Sequence, residues 1–147
     1  MSTTQGGRFA NGVHQLPVRI YYEDTDFSGV VYHASYLRFM ERGRTEYLRL
    51  SGVDHKALLQ GDMPLAFAVR RMQIDFARPA RIDDLLSVQT RFVSARGARI
   101  EAHQSILHGE ELLVSAEVQI ACIDLEGRPR RLPKPLLLLL EPFLVGQ

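Results

Sequence analysis

Residues 31–50 read VYHASYLRFMERGRTEYLRL, and this stretch has the strongest helical pattern in the chain. Positions spaced alternately by four and three residues form one mostly apolar stripe: Tyr36, Met40, Gly43, Tyr47 and Leu50. The opposite side carries Arg38, Arg42, Thr45 and Arg49. This periodicity predicts an amphipathic helix with one buried face. Glycine in a helix costs about 1 kcal/mol relative to alanine, so Gly43 indicates that a sheet approaches the helix closely there.

Most of the chain after this helix alternates between apolar and polar residues, as strands do. Residues 16–22 predict a first strand, and residues 55–60 a second, short helix. The later apolar faces are Met72, Ile74 and Phe76; Leu86, Val88, Thr90 and Phe92; Ile100, Ala102 and Ile106; and alternate positions from Leu112 to Cys122. The face that carries Phe67 and Val69 is out of phase with the next one, so we predict a β-bulge near residues 70–71. The expected fold is α+β, with a curved antiparallel sheet wrapped around one long helix.

The length and composition suit one globular domain. The chain has 147 residues, of which 46% are hydrophobic and 24% charged, which is enough for one core. We expect residues 1–15 to be a flexible tail and residues 16–147 to form a single domain. The tail has no apolar segment like that of a secretory signal, and the leucine run at residues 136–140 is shorter than the roughly 20 residues that cross a bilayer. We therefore expect no integral membrane segment.

Several kinds of function are disfavoured by the charge and the motif content. The formal net charge is +1, which does not favour binding to nucleic acid. Cys122 is the single cysteine; it allows neither an internal disulfide nor a cysteine-based zinc site, and it fits a reducing compartment. The histidines show no metal-ligand spacing, so we expect no metal and no cofactor. The absence of a Gly-x-Ser-x-Gly motif argues against serine-hydrolase chemistry.

Two carboxylates and a glycine precede the predicted helix: Asp24, Asp26 and Gly29. A helix N-terminus presents unpaired N–H groups and the positive end of the helix dipole, which suits an oxygen that gains negative charge. A carboxylate upstream of that point can act as a nucleophile or a base. Aspartates before helices are, however, usually caps or turn formers, so this pattern by itself favours a structural role.

Residues 21–37, YYEDTDFSGVVYHASYL, followed by ERGRTE at residues 41–46, resemble the Tol–Pal-associated (YbgC-like) acyl-CoA thioesterases of the hydroxybenzoyl-CoA thioesterase family. Further matches are FAVRRM at residues 67–72, FARPARIDDL at 76–85 and RPRRLP at 128–133. The resemblance extends from about Pro17 to Pro133 and leaves the N-terminal tail and residues 136–140 outside. It implies the hot-dog fold and the hydrolysis of acyl-CoA thioesters.

The resemblance also implies roles for individual residues. Asp26 would be the catalytic carboxylate, acting either as nucleophile or as general base, and Asp24 would be structural. The backbone N–H of His33 would polarise the thioester carbonyl, while the His33 side chain and Tyr22 would orient Asp26, water or the acyl group. The substrate would further contact Gly29, Val30 and Tyr32.

Arginines near a turn between two strands are candidates for binding the phosphates of CoA. In the related family a basic cluster in such a turn has this role, and Arg96 and Arg99 occupy about that place. Solvated turn arginines without a function fit the pattern equally well. Arg70 and Arg71, at the expected bulge, are weaker candidates.

Association and substrate follow from the resemblance as expectations. It implies a homotetramer built from dimers, with active sites at subunit interfaces. We also expect a cytoplasmic location, with or without peripheral attachment to the inner membrane. The expected acyl groups are short, hydroxylated or aromatic, carried by CoA or alternatively by acyl carrier protein. Two other functions remain open: hydration or dehydration of acyl thioesters, and binding of thioesters without turnover as a partner in acyl-carrier or lipid synthesis.

Overall fold

The computed structural model describes residues 5–144, and all six of their strands form one antiparallel sheet in the order β1-β2-β4-β5-β6-β3. The elements are β1 (Arg8–Ala10), β2 (Val13–Arg19), α1 (His33–Leu50), α2 (His55–Gln60), β3 (Ala66–Phe76), β4 (Leu85–Arg96), β5 (Arg99–His108), β6 (Glu111–Ile123) and α3 (Lys134–Leu140). Short 3-10 turns follow β2 at Tyr22–Asp24 and α3 at Glu141–Phe143. The predicted α+β class is confirmed, and α2 has the bounds that the sequence indicated.

Helix α1 packs across the sheet through the stripe that the sequence predicted, except that the last buried residue is Leu48 rather than Leu50. The buried residues are Ser35, Tyr36, Phe39, Met40, Gly43, Tyr47 and Leu48. Leu50, in contrast, is 42% exposed, because a helix of 3.6 residues per turn brings Leu48 towards the core instead. A Cβ atom on Gly43 would lie only 2.8 Å from Thr90 Oγ1, so the predicted close approach of the sheet is confirmed.

The prediction that residues 1–15 form a flexible tail is wrong from Arg8 onward. Strands β1 and β2 form a hairpin, and β2 pairs with β4 from His14 onward. The His14 side chain is completely buried, and its Nε2 lies 2.7 Å from the Gly6 carbonyl oxygen. His14 occupies an inward position at which a strand pattern normally has an apolar residue. The alternation of apolar and polar residues is therefore interrupted, and the sequence did not predict a strand there. Residues 1–4 lie outside the described part of the chain.

Strand β3 lies at one edge of the sheet. Its register against β6 shifts between Val69 and Arg71, which confirms the predicted bulge. Among residues 5–144, β6 is the one strand that pairs with β3. Its other edge therefore presents backbone N–H and C=O groups to solvent in the single chain, an arrangement that favours pairing with another strand.

The leucine run at residues 136–140 lies in α3, which packs on the body of the protein. Leu136 and Leu140 are buried, whereas Leu138 is 59% exposed. The hydroxyl of Tyr47 on α1 donates to the carbonyl of Phe143, just after α3, at 3.2 Å. Within the described residues, no helix is long and apolar enough to cross a membrane.

Candidate active site

Asp24 anchors the loop between β2 and α1. Its buried carboxylate accepts hydrogen bonds from the backbone N–H of Tyr21 at 2.9 Å and from Arg38 Nη2 at 3.1 Å. Its carbonyl oxygen accepts from the Tyr32 N–H at 2.9 Å and from the Ser35 hydroxyl at 3.2 Å. Asp24 thus ties the loop to the first turns of α1, as a structural residue does.

Asp26 is exposed at the tip of the same loop. Its Oδ1 accepts two hydrogen bonds from Ser28, one from the hydroxyl at 2.6 Å and one from the backbone N–H at 2.8 Å. These two bonds stabilise the charged form and lower the pKa of the Asp26 carboxyl below its ordinary value. The Gly29 N–H donates to the Asp26 carbonyl at 3.1 Å, and Gly29 has a φ of 85° that glycine adopts without strain. The turn therefore holds an ionised carboxylate in solvent at neutral pH.

The start of α1 is open to a ligand. Tyr32 occupies the N-cap position of the helix, but its side chain makes no capping hydrogen bond. The first turn of an α-helix leaves its N–H groups without partners inside the helix, and those of His33 and Ala34 belong to this turn. The His33 side chain is exposed, with its ring 6.1 Å from that of Phe76 at the end of β3.

The segment between β3 and β4 fixes the helix start in place. The Val31 N–H donates to the Ala80 carbonyl at 2.9 Å, and the Ala80 N–H donates to the Tyr36 hydroxyl at 2.8 Å. Val30 forms a β-bridge with Arg81. A shallow cavity of about 230 Å³ lies beside the helix start and is lined by Val31, His33, Tyr36, Phe76, Ala77, Arg78 and Pro79.

The predicted site residues of the loop lie on one continuous segment that ends in the first turn of α1, and several aromatic residues of this segment are exposed. Tyr22, Asp26, Gly29, Val30, Tyr32 and His33 all belong to the 3-10 turn, the loop and the first turn of α1. The exposed aromatic side chains of this region are Tyr21, Tyr22, Phe27 and Tyr32.

Arg96 and Arg99 lie far from this loop within one chain. They flank the β4–β5 turn, whereas the loop contacts the segment that leads into the start of β4. Strand β4 spans 12 residues, so its two ends lie roughly 35 Å apart. One chain therefore does not place these arginines beside its own Asp26.

The two arginines do share a cavity with a third. A cleft of about 350 Å³ on the outer side of the sheet is lined by Arg70, Ser94, Arg96, Ala98, Arg99, Glu101, Ala121 and Pro129. Arg70 stands at the bulge of β3, and its Nη1 donates to Gln119 Oε1 at 2.9 Å. Within residues 5–144, no group of three or more histidine, cysteine, aspartate or glutamate side chains is arranged to hold a metal ion.

The profile of the thioesterase-like superfamily matches residues 21–140. The chain belongs to this superfamily. The acyl-CoA thioester hydrolase YbgC of Escherichia coli O6:H1 is 48% identical over 120 residues, which cover 80% of this chain and 88% of that protein. The acyl-CoA thioesterase YbgC of Haemophilus influenzae is 46% identical, with 81% and 88% covered. A probable thioesterase of Bartonella henselae of known structure is 54% identical, with a TM-score of 0.79, and the match covers 82% of this chain and 99% of that one.

Membership of the thioesterase-like superfamily confirms the hot-dog fold and corrects one boundary. The superfamily match runs to Leu140, so α3, which the sequence resemblance left outside, belongs to the shared domain. Sequence reasoning missed two residues of the site. Ser28 follows Asp26 by two positions, a spacing at which an aspartate commonly bonds to the backbone in a turn. Phe76 carried no signal beyond the alternation of its strand.

Proposed function

We propose that this protein hydrolyses acyl-CoA thioesters to a free acid and CoA, with Asp26 as the catalytic carboxylate. One observation carries the proposal: an ionised carboxylate, held by Ser28, stands on the loop that leads directly into an uncapped helix start at His33. The YbgC proteins of Escherichia coli and Haemophilus influenzae, to which the chain is similar, are an acyl-CoA thioester hydrolase and an acyl-CoA thioesterase.

The proposed reaction uses both the carboxylate of Asp26 and the backbone N–H at the helix start. The thioester carbonyl oxygen accepts a hydrogen bond from the His33 N–H, where the helix dipole stabilises the negative charge of the tetrahedral intermediate. Asp26 either attacks the carbonyl carbon, expelling CoA thiolate and leaving a mixed anhydride that water opens, or removes a proton from the water that attacks. In both routes the thiolate takes up a proton, and the acid leaves as carboxylate. Tyr22 and the His33 side chain orient the acyl group and the water.

We propose that the active unit contains a symmetric dimer joined through β3, with a homotetramer as a pair of such dimers. The open edge of β3 supports this arrangement, because two copies related by a two-fold axis pair such edges antiparallel. Phe76 of one copy then lies near Ala66 of the other. The β4–β5 turn lies at the Ala66 end of the sheet, since Arg99 and Ala68 both pair with Ala121. The arginine cleft of one copy thus adjoins the helix start of its partner.

This arrangement also supports CoA as the acyl carrier. Arg70, Arg96 and Arg99 line one cleft, and guanidinium groups bind phosphates through two N–H donors. The thioester would lie at the sheet edge with its phosphates in the partner's cleft. Acyl carrier protein remains the alternative carrier. A cytoplasmic location fits the free, buried thiol of Cys122.

Release of free thiol from a panel of acyl-CoA and acyl-carrier-protein thioesters tests the proposal. Wild type is expected to release thiol, and Asp26→Asn to release it at least a hundredfold more slowly, the lower end of what a positioned general base contributes. Asp62→Asn is the control, because Asp62 is another exposed aspartate outside the site. Equal rates for wild type and Asp26→Asn would remove Asp26 from catalysis.

The two rival functions give different results in the same panel. A hydratase changes the absorbance of an enoyl thioester without releasing thiol. A protein that only binds thioesters releases no thiol and leaves the absorbance of the enoyl thioester unchanged, although it has affinity for thioesters.

A further inference from the structure

A groove of about 240 Å³ lies between α1, α2 and the first half of β3. Its walls are mostly apolar. Leu58 and Leu59 come from α2, Leu65 and Phe67 from the start of β3 and the residue before it, and Ile120 from β6. Leu59 is 46% exposed although it lines the groove. A concave apolar surface of this kind is typical of a site for an apolar ligand.

The polar side chains of the groove already have partners or are kept neutral. The Thr45 hydroxyl donates to Glu41 Oε2 at 2.6 Å, and Arg44 Nη1 donates to Gln104 Oε1 at 3.0 Å. Burial lowers the pKa of His55 below its ordinary value, so the ring carries no charge at neutral pH. Most of the lining residues are apolar, so the groove offers few polar partners to a hydroxylated acyl group.

The groove of one copy lies beside the helix start of the other in the proposed dimer. Its β3 wall consists of residues 66–69. Antiparallel pairing of two β3 edges brings this wall beside Phe76 of the partner. Phe76 marks the site, because its ring lies 6.1 Å from that of His33 and 5.8 Å from that of Tyr36.

We propose that this groove binds the acyl chain of the thioester that is hydrolysed at the partner's helix start. The groove thereby favours aliphatic acyl groups of medium length. Its volume of about 240 Å³ exceeds the roughly 150 Å³ that suffices for one benzene ring, so a single aromatic group would leave it partly empty. This assignment rests on the proposed thioesterase activity and on the β3 dimer, and it names the substrate class and the subunit that recognises it.

The dependence of kcat/KM on acyl length, from acetyl-CoA to dodecanoyl-CoA, is the first test. Each buried methylene contributes up to about fourfold, so kcat/KM of wild type rises with chain length until the groove is full. Leu59→Asp places a charge on the groove wall and lowers the octanoyl-to-acetyl ratio of kcat/KM at least tenfold. Leu59→Met keeps the ratio, and so does Leu138→Asp, which places the same charge on an exposed leucine of α3. A ratio that Leu59→Asp leaves unchanged overturns the assignment.

Mixed dimers test whether the groove acts on the partner's site. Asp26→Asn and Leu59→Asp are coexpressed with different tags, and the species that carries both tags is isolated. If the groove serves the partner, one of the two sites in each mixed dimer combines an intact Asp26 with an intact groove, and up to about half of the wild-type rate on octanoyl-CoA returns. Tetramers of two unmixed dimers also carry both tags and lower this fraction without adding activity. If each groove serves its own chain, no site is intact and the rate stays at the level of the single variants, which overturns the proposal.

Other outcomes separate this inference from the proposed function. If no thioester releases thiol, the proposed activity fails and the groove assignment fails with it. If thiol is released and the length profile is flat, the activity stands and the groove assignment alone fails. The alternative to an acyl chain in the groove is the side chain of the partner's Phe27, which is fully exposed in the single chain. In that case Leu59→Asp weakens the dimer in sedimentation and lowers the rates on all acyl lengths equally, which also overturns the proposal.

Discussion

At the residue scale, Ser28 lowers the pKa of Asp26. The Ser28 hydroxyl is the largest influence on the pKa of this carboxyl, ahead of the backbone N–H of the same residue. Both donate to the charged form, so both lower the pKa. A base must be ionised to act, and both the hydrogen bonds from Ser28 and the solvent around the carboxylate favour the ionised form of Asp26.

Ser28→Ala therefore raises the pKa of Asp26 towards its ordinary value. The acidic limb of the pH profile of kcat/KM is expected to move to higher pH, because Asp26 takes up its proton earlier as the pH falls. Ser87→Ala on β4 is the control and leaves the limb in place. An acidic limb that does not move in Ser28→Ala would mean that a different group controls it.

At the scale of single elements, α1 depends on the absence of a side chain at Gly43. Alanine is the better helix former by about 1 kcal/mol, yet its Cβ at this position would lie 2.8 Å from Thr90 Oγ1 and 3.0 Å from Val88 Cγ1. Both contacts are with the central strand β4, which has little room to yield. Overpacking a core typically costs about 1–3 kcal/mol, so the steric cost exceeds the gain in helix propensity.

Gly43→Ala is expected to lower the free energy of unfolding by about 1–2 kcal/mol, measured by urea denaturation. Gly61→Ala is the matched control, since its Cβ would meet its nearest neighbour, the Ala57 carbonyl oxygen, at an ordinary 3.5 Å and its φ is −70°. The control should stay within about 0.5 kcal/mol of wild type. A Gly43→Ala protein as stable as the control would show that the sheet can move away from the helix.

The hairpin of β1 and β2 gives the fold a dependence on pH. Burial of His14 lowers its pKa below the ordinary 6.5, so the folded protein takes up the proton less readily than the unfolded chain. The stability that neutral His14 contributes is therefore complete above pH 6.5 and declines as the pH falls below that value. The hydrogen bond to Gly6 and, to a smaller extent, the negative charge of Glu46 partly offset the effect.

The free energy of unfolding of wild type is thus expected to fall between pH 7.5 and pH 5.5, and His14→Leu should weaken that dependence. Urea denaturation at both pH values measures it. His55 also has a pKa lowered by burial, so His55→Gln shows how much of the dependence belongs to the other histidine. An identical pH dependence in His14→Leu and wild type would exclude His14 as its source.

Part of this architecture could be predicted from residues alone. The spacing from Tyr36 to Tyr47 predicts α1, and Gly43 indicates where the sheet lies, because both follow from local geometry. The strand at His14 could not be predicted, since a buried histidine does not differ from an exposed one in a single sequence. Nor could the distance between Asp26 and Arg96 be predicted, because it depends on which ends of the strands meet.

At the scale of the whole molecule, the proposed dimer brings together Asp26 and the arginine cleft, which a single chain places near opposite ends of β4, a strand roughly 35 Å long. Arg70, Arg96 and Arg99 of one copy would bind the CoA that reacts at the partner's Asp26. Replacing Arg96 by glutamine is expected to raise KM for acyl-CoA about three- to tenfold and to leave KM for the N-acetylcysteamine thioester, which has no phosphates, nearly unchanged.

Steady-state kinetics on both substrates measures the effect, with Arg8→Gln as the control because Arg8 lies on β1, at the other edge of the sheet. The rise in KM should shrink at high salt, because screening weakens the wild-type interaction as well. An equal rise in KM on both substrates would mean that Arg96 acts through the structure rather than through the phosphates.

The unpaired edge of β3 has one more consequence, which concerns dilution. If two copies complete each other's sites, mass action links activity to the amount of protein present. Specific activity should then fall when the enzyme is diluted below the dissociation constant of the dimer, and the midpoint of thermal unfolding should fall with it. At such dilution the separated chains would display a long strand edge with Val69 and Phe76 exposed, and they would be the species most ready to aggregate.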